Sequence, residues 1–428
     1  MKRSDRRILT THVGSLPRPP ALRDLLVRHD RGEPVDTAAL AREADAAVAH
    51  VVTRQLEVGI DVGNNGEQPR AGFSTYVAGR MRGFGGTSRR LPARDLIDFP
   101  DYAEMLARRR RDAARIGDAP QAIAEVEYAD LGPAAEECDG FLRHTDGRAP
   151  GFTERFMTAA SPGVIATILL SAHYGSHEQY VMALAREMRK EYQLIHGRGL
   201  LLQVDCPDLA MERVRFFQND SLEAFQRSVE LHVEAINQAT AGIPPDRIRL
   251  HVCWGNYDGP HTHDVPLEAV LPLVYRARVG ALSLPLANPR HQHEYRVFKQ
   301  YPLPDSMLLL PGVIDTTTNY VEHPEVVADR IGAAVAAVGD PTRVIASTDC
   351  GFGTSRARRW WPTAWCGPSS APSPRARPSR AIVCSGELRS GRLASPHEGR
   401  AHERGDVQHE HVGDGGRVNR LHDLHRLE

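Results

Sequence analysis

The chain has 428 residues, 41% of them hydrophobic and 25% charged, with a formal net charge of -1. This is the balance of a globular protein with one large domain or two medium ones, and it offers no general attraction to nucleic acid or to an anionic membrane. No apolar run approaches the length of a membrane span, and the opening "MKRSDRRILTTHVGS" lacks the apolar core of a signal peptide, so a cytoplasmic protein is expected.

In chain order, short apolar runs alternate with helical patterns up to about residue 355. The predicted strands are "ILTTHVG", "GIDVGNNG", "RFMTAAS", "LLLQVDC", "RIRLHVC", "ALSLPLA", "SMLLLPGVID" and "RVIASTDC". Among the helices between them are "DTAALAREADAAVAHVVTRQLEVG", "HEQYVMALAREMRKEYQLIHGRG", "SLEAFQRSVELHVEAINQATAG" and "HPEVVADRIGAAVAAVGD", each with apolar residues at helical spacing. Eight strand–helix units predict a (β/α)8 TIM barrel. The segment from about 85 to 150 reads as an insertion after the second unit. Its "ARRRRDAAR" is better read as a solvated helix face than as a nucleic-acid patch.

Such barrels carry their chemistry where the strands end. His251 and Cys253 close the fifth run and, with one residue between them, face the same way on an extended chain. Cys350 closes the eighth. Six cysteines in so long a chain do not make a disulfide scaffold, and two soft ligands on one face suit zinc. Ser15, Glu67 and Asp205 close the first, second and fourth runs. Taken singly, the two acids also read as helix caps or surface ion pairs.

The motifs "TTHVGSLPRP", "NNGEQPR", "LQVDCPD", "HVCWGNY", "ANPRH" and "STDCGFGT" resemble, in order, the catalytic barrel of cobalamin-independent methionine synthases. They also resemble its single-barrel relatives, epoxyalkane–coenzyme M transferase-like proteins among them. The resemblance covers residues 8 to 355. It implies a zinc ion held by His251, Cys253 and Cys350, and an amino acid substrate held by Ser15, Glu67 and Asp205. It further implies methyl or alkyl transfer to a small thiol, homocysteine foremost, within methionine biosynthesis. The implied donor is a folate or a corrinoid protein, with no nucleic-acid or membrane partner.

Three departures from the family pattern stand out. A glutamate expected as a further zinc ligand after the sixth strand is replaced by Pro285, and His263, His291 and His323 are the histidines to weigh as substitutes. A histidine expected after "PGVxD" is replaced by Thr317. The N-terminal barrel of the full-length enzymes, which helps to bind folate, has no counterpart, so the donor is open. Alternatives are therefore a relative acting on another thiol, such as coenzyme M, and a barrel inactivated at its zinc site. Uroporphyrinogen decarboxylase shares the broad fold but needs no zinc, and the His-x-Cys pair with Cys350 argues against that activity.

After "STDCGFGTS" the composition turns abruptly to Arg, Pro, Ser, Gly and His. The domain reading is a zinc-dependent barrel over 1–355, lacking its last helix, followed by an aberrant C-terminal tail over 356–428 that is disordered or frameshifted. The genetic code favours a shifted frame. Trp360-Trp361 requires TGG TGG, which contains GTG for valine, and the codons from Trp360 are compatible with the helical "VADRVVWAKLRALPEGAALAS".

Overall fold

The computed structural model describes residues 1–110 and 119–353. The eight expected strands all form: β1 Leu9–Thr10, β2 Val62–Gly63, β3 Glu154–Ala160, β4 Leu201–Asp205, β5 Ile248–His251, β6 Ala281–Leu284, β7 Leu308–Ile314 and β8 Ile345–Thr348. They pair in parallel in the order β1-β8-β7-β6-β5-β4-β3-β2. A parallel bridge between Thr11 and Val62 joins β1 to β2 and closes the ring. The result is a (β/α)8 barrel. β4 to β7 are almost continuously buried, as strands must be when helices cover one side and the barrel interior the other.

Sequence-local signals set the helix ends. Asp36 caps Thr37–Val58 by accepting from the Ala39 N–H, and Gly59 ends that helix at φ 83°, a left-handed conformation that favours glycine. Ser176 and Ser221 cap His177–Gly197 and Leu222–Ala239 in the same way. Pro324–Val338 starts on proline and stops at Gly339. The fifth unit contributes a short helix, Leu267–Val274, and the sixth only a 3-10 segment, Glu294–Lys299. Aliphatic side chains from these helices and from the outward faces of the strands form one continuous core, including Val164, Leu184, Met188, Val229, Ile236 and Leu271.

The insertion is differently bounded from the sequence reading of 85 to 150. It begins with Met81–Gly85, which pairs antiparallel with Gln121–Tyr128 to make a separate hairpin, and it carries the helices Arg94–Asp98 and Pro100–Arg110. Gly132–Thr145 is not part of it. That helix buries Ala134, Cys138 and Phe141 and packs between Thr37–Val58 and His177–Gly197, where the second unit's own helix belongs. The hairpin strand Gln121–Tyr128 escaped the sequence reading because its alternating glutamates resemble a solvated segment. Part of "ARRRRDAAR" and the whole tail after 355 lie outside the described residues.

Candidate functional site

At the carboxyl end of the barrel, His251 ends β5, Cys253 follows two residues later, and Cys350 lies two residues beyond β8. The ligand atoms of these three side chains all lie within 4.8 Å of one another. All three residues are buried, and neither cysteine is in a disulfide. The two Sγ atoms are 3.8 Å apart and share a hydrogen bond. That hydrogen bond pulls the Cys253 thiol well below the usual range, against burial and with help from His251, while Cys350 is pushed up. Burial would depress His251, but its contact with Cys253 and the nearby Asp205 raise it above the ordinary imidazole value.

Two observations show that a metal ion fits here. Both ring nitrogens of the buried His251 lack a hydrogen-bond partner among the described residues, which is costly unless something else binds them. Two sulfurs at about 2.3 Å from a tetrahedral zinc would also lie about 3.8 Å from each other, the spacing seen between Cys253 and Cys350.

The three residues expected to hold substrate lie on the same end of the barrel. Asp205 is the cross-strand partner of His251. It is buried, accepts a hydrogen bond from Gln203 at 2.8 Å, and burial together with the neighbouring Glu67 lifts its carboxyl to about 7. Glu67 sits at φ 53°, in the left-handed region that non-glycine residues seldom adopt. It is held there because Asn65 Oδ1 accepts its N–H at 2.9 Å, Arg18 reaches its carbonyl, and Thr158 donates to its Oε1 at 2.9 Å. Gly14 brings the first-strand loop alongside. A Cβ there would lie 2.7 Å from Thr158 and 3.1 Å from Glu67 Oε1, which explains the glycine of the "GS" motif. The buried Ser15 hydroxyl accepts from the Gly353 N–H at 3.2 Å, tying the first loop to the segment after Cys350.

A layer of buried charge supports Glu67. Arg70, from the same "NNGEQPR" motif, donates to Glu137 and to both the hydroxyl and the carbonyl of Thr158. Arg80 pairs with Glu137 at 2.6 Å and with Glu191 at 3.3 Å. Although burial works against it, Arg70 and Arg80 hold the Glu137 carboxyl down at about 2. The sequence reading did not single out Arg70, whose presence in the quoted motif was the available signal.

A cavity of about 420 Å³ opens from Cys253 and Cys350 towards the loops after β5, β6 and β7. Its walls include Trp254, Tyr257, His261, Pro285, His291 and Thr317. Asp349 also lines it, bonded to the Ala287 and Asn288 amides at 2.8 Å, with burial lifting its carboxyl to about 7. Pro285 thus lines the same cavity as the two thiols and offers no ligand. Of the three histidines considered in its stead, His263 is exposed against Asp98 at 2.6 Å, and His323 caps Pro324–Val338. His291 lines the cavity, but both its nitrogens are committed, to Glu294 at 2.8 Å and Asp264 at 2.9 Å. None of the three joins the His251 cluster. Thr317 binds Asp315 through both its N–H and its hydroxyl. No helix among the described residues is long and apolar enough to cross a membrane.

A parallel eight-stranded barrel with a buried His/Cys/Cys cluster at its carboxyl end defines a (β/α)8 enzyme with a potential metal centre. Comparison with known proteins finds similarity to methionine synthases and to a 2-hydroxypropyl-CoM lyase, and a shared fold with solved B12-independent methionine synthases. It is 24% identical to the methionine synthase of Sulfurisphaera tokodaii over 345 residues, covering 80% of this chain and 85% of that protein. It is 26% identical to the 2-hydroxypropyl-CoM lyase of Xanthobacter autotrophicus over 206 residues, covering 42% of this chain and 50% of that protein. Among solved structures, the B12-independent methionine synthase from Shewanella sp. W3-18-1, in complex with selenomethionine, shares the fold. It has a TM-score of 0.60 and 19% identity, covering 81% of this chain and 92% of that one. No family model matches the sequence.

Proposed function

We propose that the chain is a zinc-dependent transferase that moves a methyl or other alkyl group onto a small thiol, homocysteine to methionine being the leading reaction. The observation that carries this is the convergence of His251, Cys253 and Cys350, with both His251 nitrogens unpartnered, beside the carboxylate of Asp205. The methionine synthases among the relatives support it. Zinc bound by these three residues would stabilise the substrate as its thiolate, the form that attacks carbon, at neutral pH. With Pro285 in place of a further ligand, three protein ligands leave a coordination position for the substrate sulfur.

The surrounding residues bind and orient. Glu67 and Asp205 hold the substrate ammonium, and Ser15 helps to hold the amino acid head group. The cavity beyond Cys253 and Cys350 receives the alkyl donor. As the sulfur–carbon bond forms, the bond from that carbon to its leaving group breaks, its electron pair staying with the leaving group, which takes up a proton from solvent in place of the one the thiol released. Purified protein is expected to hold close to one zinc per chain, and Cys253→Ser with Cys350→Ser is expected to abolish it. Full zinc in the double variant would refute the ligand assignment.

The 2-hydroxypropyl-CoM lyase relative supports a second reading, in which the thiol is coenzyme M. The paired Glu67 and Asp205 favour a substrate with an ammonium group, so the amino acid thiol is placed first.

A further inference from the structure

The insertion meets the loop after β5 at several residues: Tyr102 donates to Asp258 at 3.4 Å, Asp98 pairs with His263 at 2.6 Å, and the buried contact is made by Asp95. Asp95, in the short helix Arg94–Asp98, is fully buried, an unusual place for a carboxylate. Its oxygens accept four hydrogen bonds from the loop after β5: from the Tyr257 hydroxyl at 2.6 Å, the His261 N–H at 2.9 Å, the Thr262 N–H at 3.2 Å and the Thr262 hydroxyl at 2.8 Å. Tyr257 and His261 are walls of the cavity that opens from Cys253 and Cys350. His261 itself is at φ 54°, a conformation that its surroundings must enforce. Its ring bridges to Asp264 at 2.8 Å, and Asp264 bridges on to His291 of the loop after β6 at 2.9 Å. Further contacts seat the same arm. Arg90 pairs with the buried Glu212, and Gln218 donates to the Pro92 carbonyl at 3.1 Å.

Ser15, Glu67 and Asp205 are absent from the lining of this cavity, so the head-group site and the cavity are shaped by different parts of the chain. We propose that the insertion, acting through Asp95 as a positioning residue, sets the shape of the chamber for the alkyl donor, while the residues that hold the amino acid head group lie on other strand ends. A buried carboxylate accepting four hydrogen bonds from one loop fixes that loop as a unit. Replacing it by an amide forces a donor N–H against groups that are themselves donors. The inference rests on the zinc-thiol reading for the identity of the two reactants, but not for the mechanical link.

The test uses the full chain, with Asp95→Asn and the milder Tyr257→Phe, which removes one of the four bonds. Amide hydrogen exchange across residues 254–264 should speed up at least tenfold in Asp95→Asn and less in Tyr257→Phe, with the barrel strands unchanged. In cobalt-substituted protein, the homocysteine-to-cobalt charge-transfer band should titrate within twofold of the parent chain in both variants. With 5-methyltetrahydropteroyltriglutamate as the probe donor, its KM should rise at least tenfold in Asp95→Asn, while the KM for homocysteine stays within twofold. Unchanged exchange at 254–264 overturns the proposal, and so does an equal rise in both KM values. A parent chain that neither binds homocysteine at cobalt nor turns over would sink the functional reading instead, and the exchange data would still decide the role of Asp95.

Discussion

Arg70→Met removes the centre of the charged layer beneath Glu67. Arg70 is 3% exposed, donates to both Glu137 oxygens at 2.9 and 3.0 Å, and stacks 4.4 Å from the centroid of Tyr76. Methionine keeps the stem but leaves Glu137 with only Arg80 and Asn65. Removing one partner of a buried pair costs about 3–5 kcal/mol, because the remaining charge stays desolvated. Linkage provides an independent figure. The Glu137 carboxyl lies at about 2 against an ordinary 4.5, which at 1.36 kcal/mol per pH unit corresponds to about 3 kcal/mol at neutral pH, shared among Arg70, Arg80 and Asn65. A depressed carboxyl of this kind stabilises fully above its unfolded value. That contribution is lost as pH falls from about 4.5 towards 2. Arg70→Met should therefore lower stability at pH 7 by about 3 kcal/mol and move acid unfolding to higher pH, because Glu137 then protonates sooner. Equilibrium urea unfolding at pH 7, with far-ultraviolet circular dichroism followed from pH 7 to pH 2, measures both. A loss below about 1 kcal/mol together with an unmoved acid transition would show that Arg70 and Glu137 are replaceable, and the argument would fail. The variant should also weaken homocysteine binding, since Arg70 holds the Thr158 that holds Glu67.

Pro285→Glu should restore a ligand in the cavity that Cys253 and Cys350 line and tighten zinc at least tenfold in a chelator competition; an unchanged affinity would mean that a carboxylate there is dispensable. Glu67→Gln and Asp205→Asn should each raise the KM for homocysteine at least tenfold but change little with coenzyme M, which has no ammonium, and equal effects on both thiols would remove the head-group role. For the chain end, resequencing the gene near the codon for Ser355 should reveal a reading frame that encodes an apolar-periodic helix, and a restored chain should melt at a higher temperature. A confirmed frame and an unchanged melting point would leave residues 356–428 as the native terminus.

The eight strands and the main helices were legible in the sequence because each obeys a local rule: apolar runs of strand length, helical periodicity, serine or aspartate caps and glycine stops. The site residues were legible for a related reason. A barrel delivers strand ends to one face, which made His251, Cys253, Cys350, Ser15, Glu67 and Asp205 candidates, and it was the resemblance of the surrounding motifs that assigned them roles. Their meeting was not legible in the sequence. The 3.8 Å between Cys253 and Cys350, the unpartnered His251 ring and the bond from Thr158 to Glu67 join residues as many as 97 positions apart, through strand register and closure of the ring. The insertion shows the same division. Its presence was apparent from its length, but its boundaries were not, since Gly132–Thr145 earns its place as a barrel helix by burying Phe141 between two distant helices. Asp95 carries no motif that would single it out in the sequence. Only the folded chain, by bringing Tyr257, His261 and Thr262 onto its oxygens, makes it a buried anchor, because burial of a charge depends on which distant donors arrive to satisfy it.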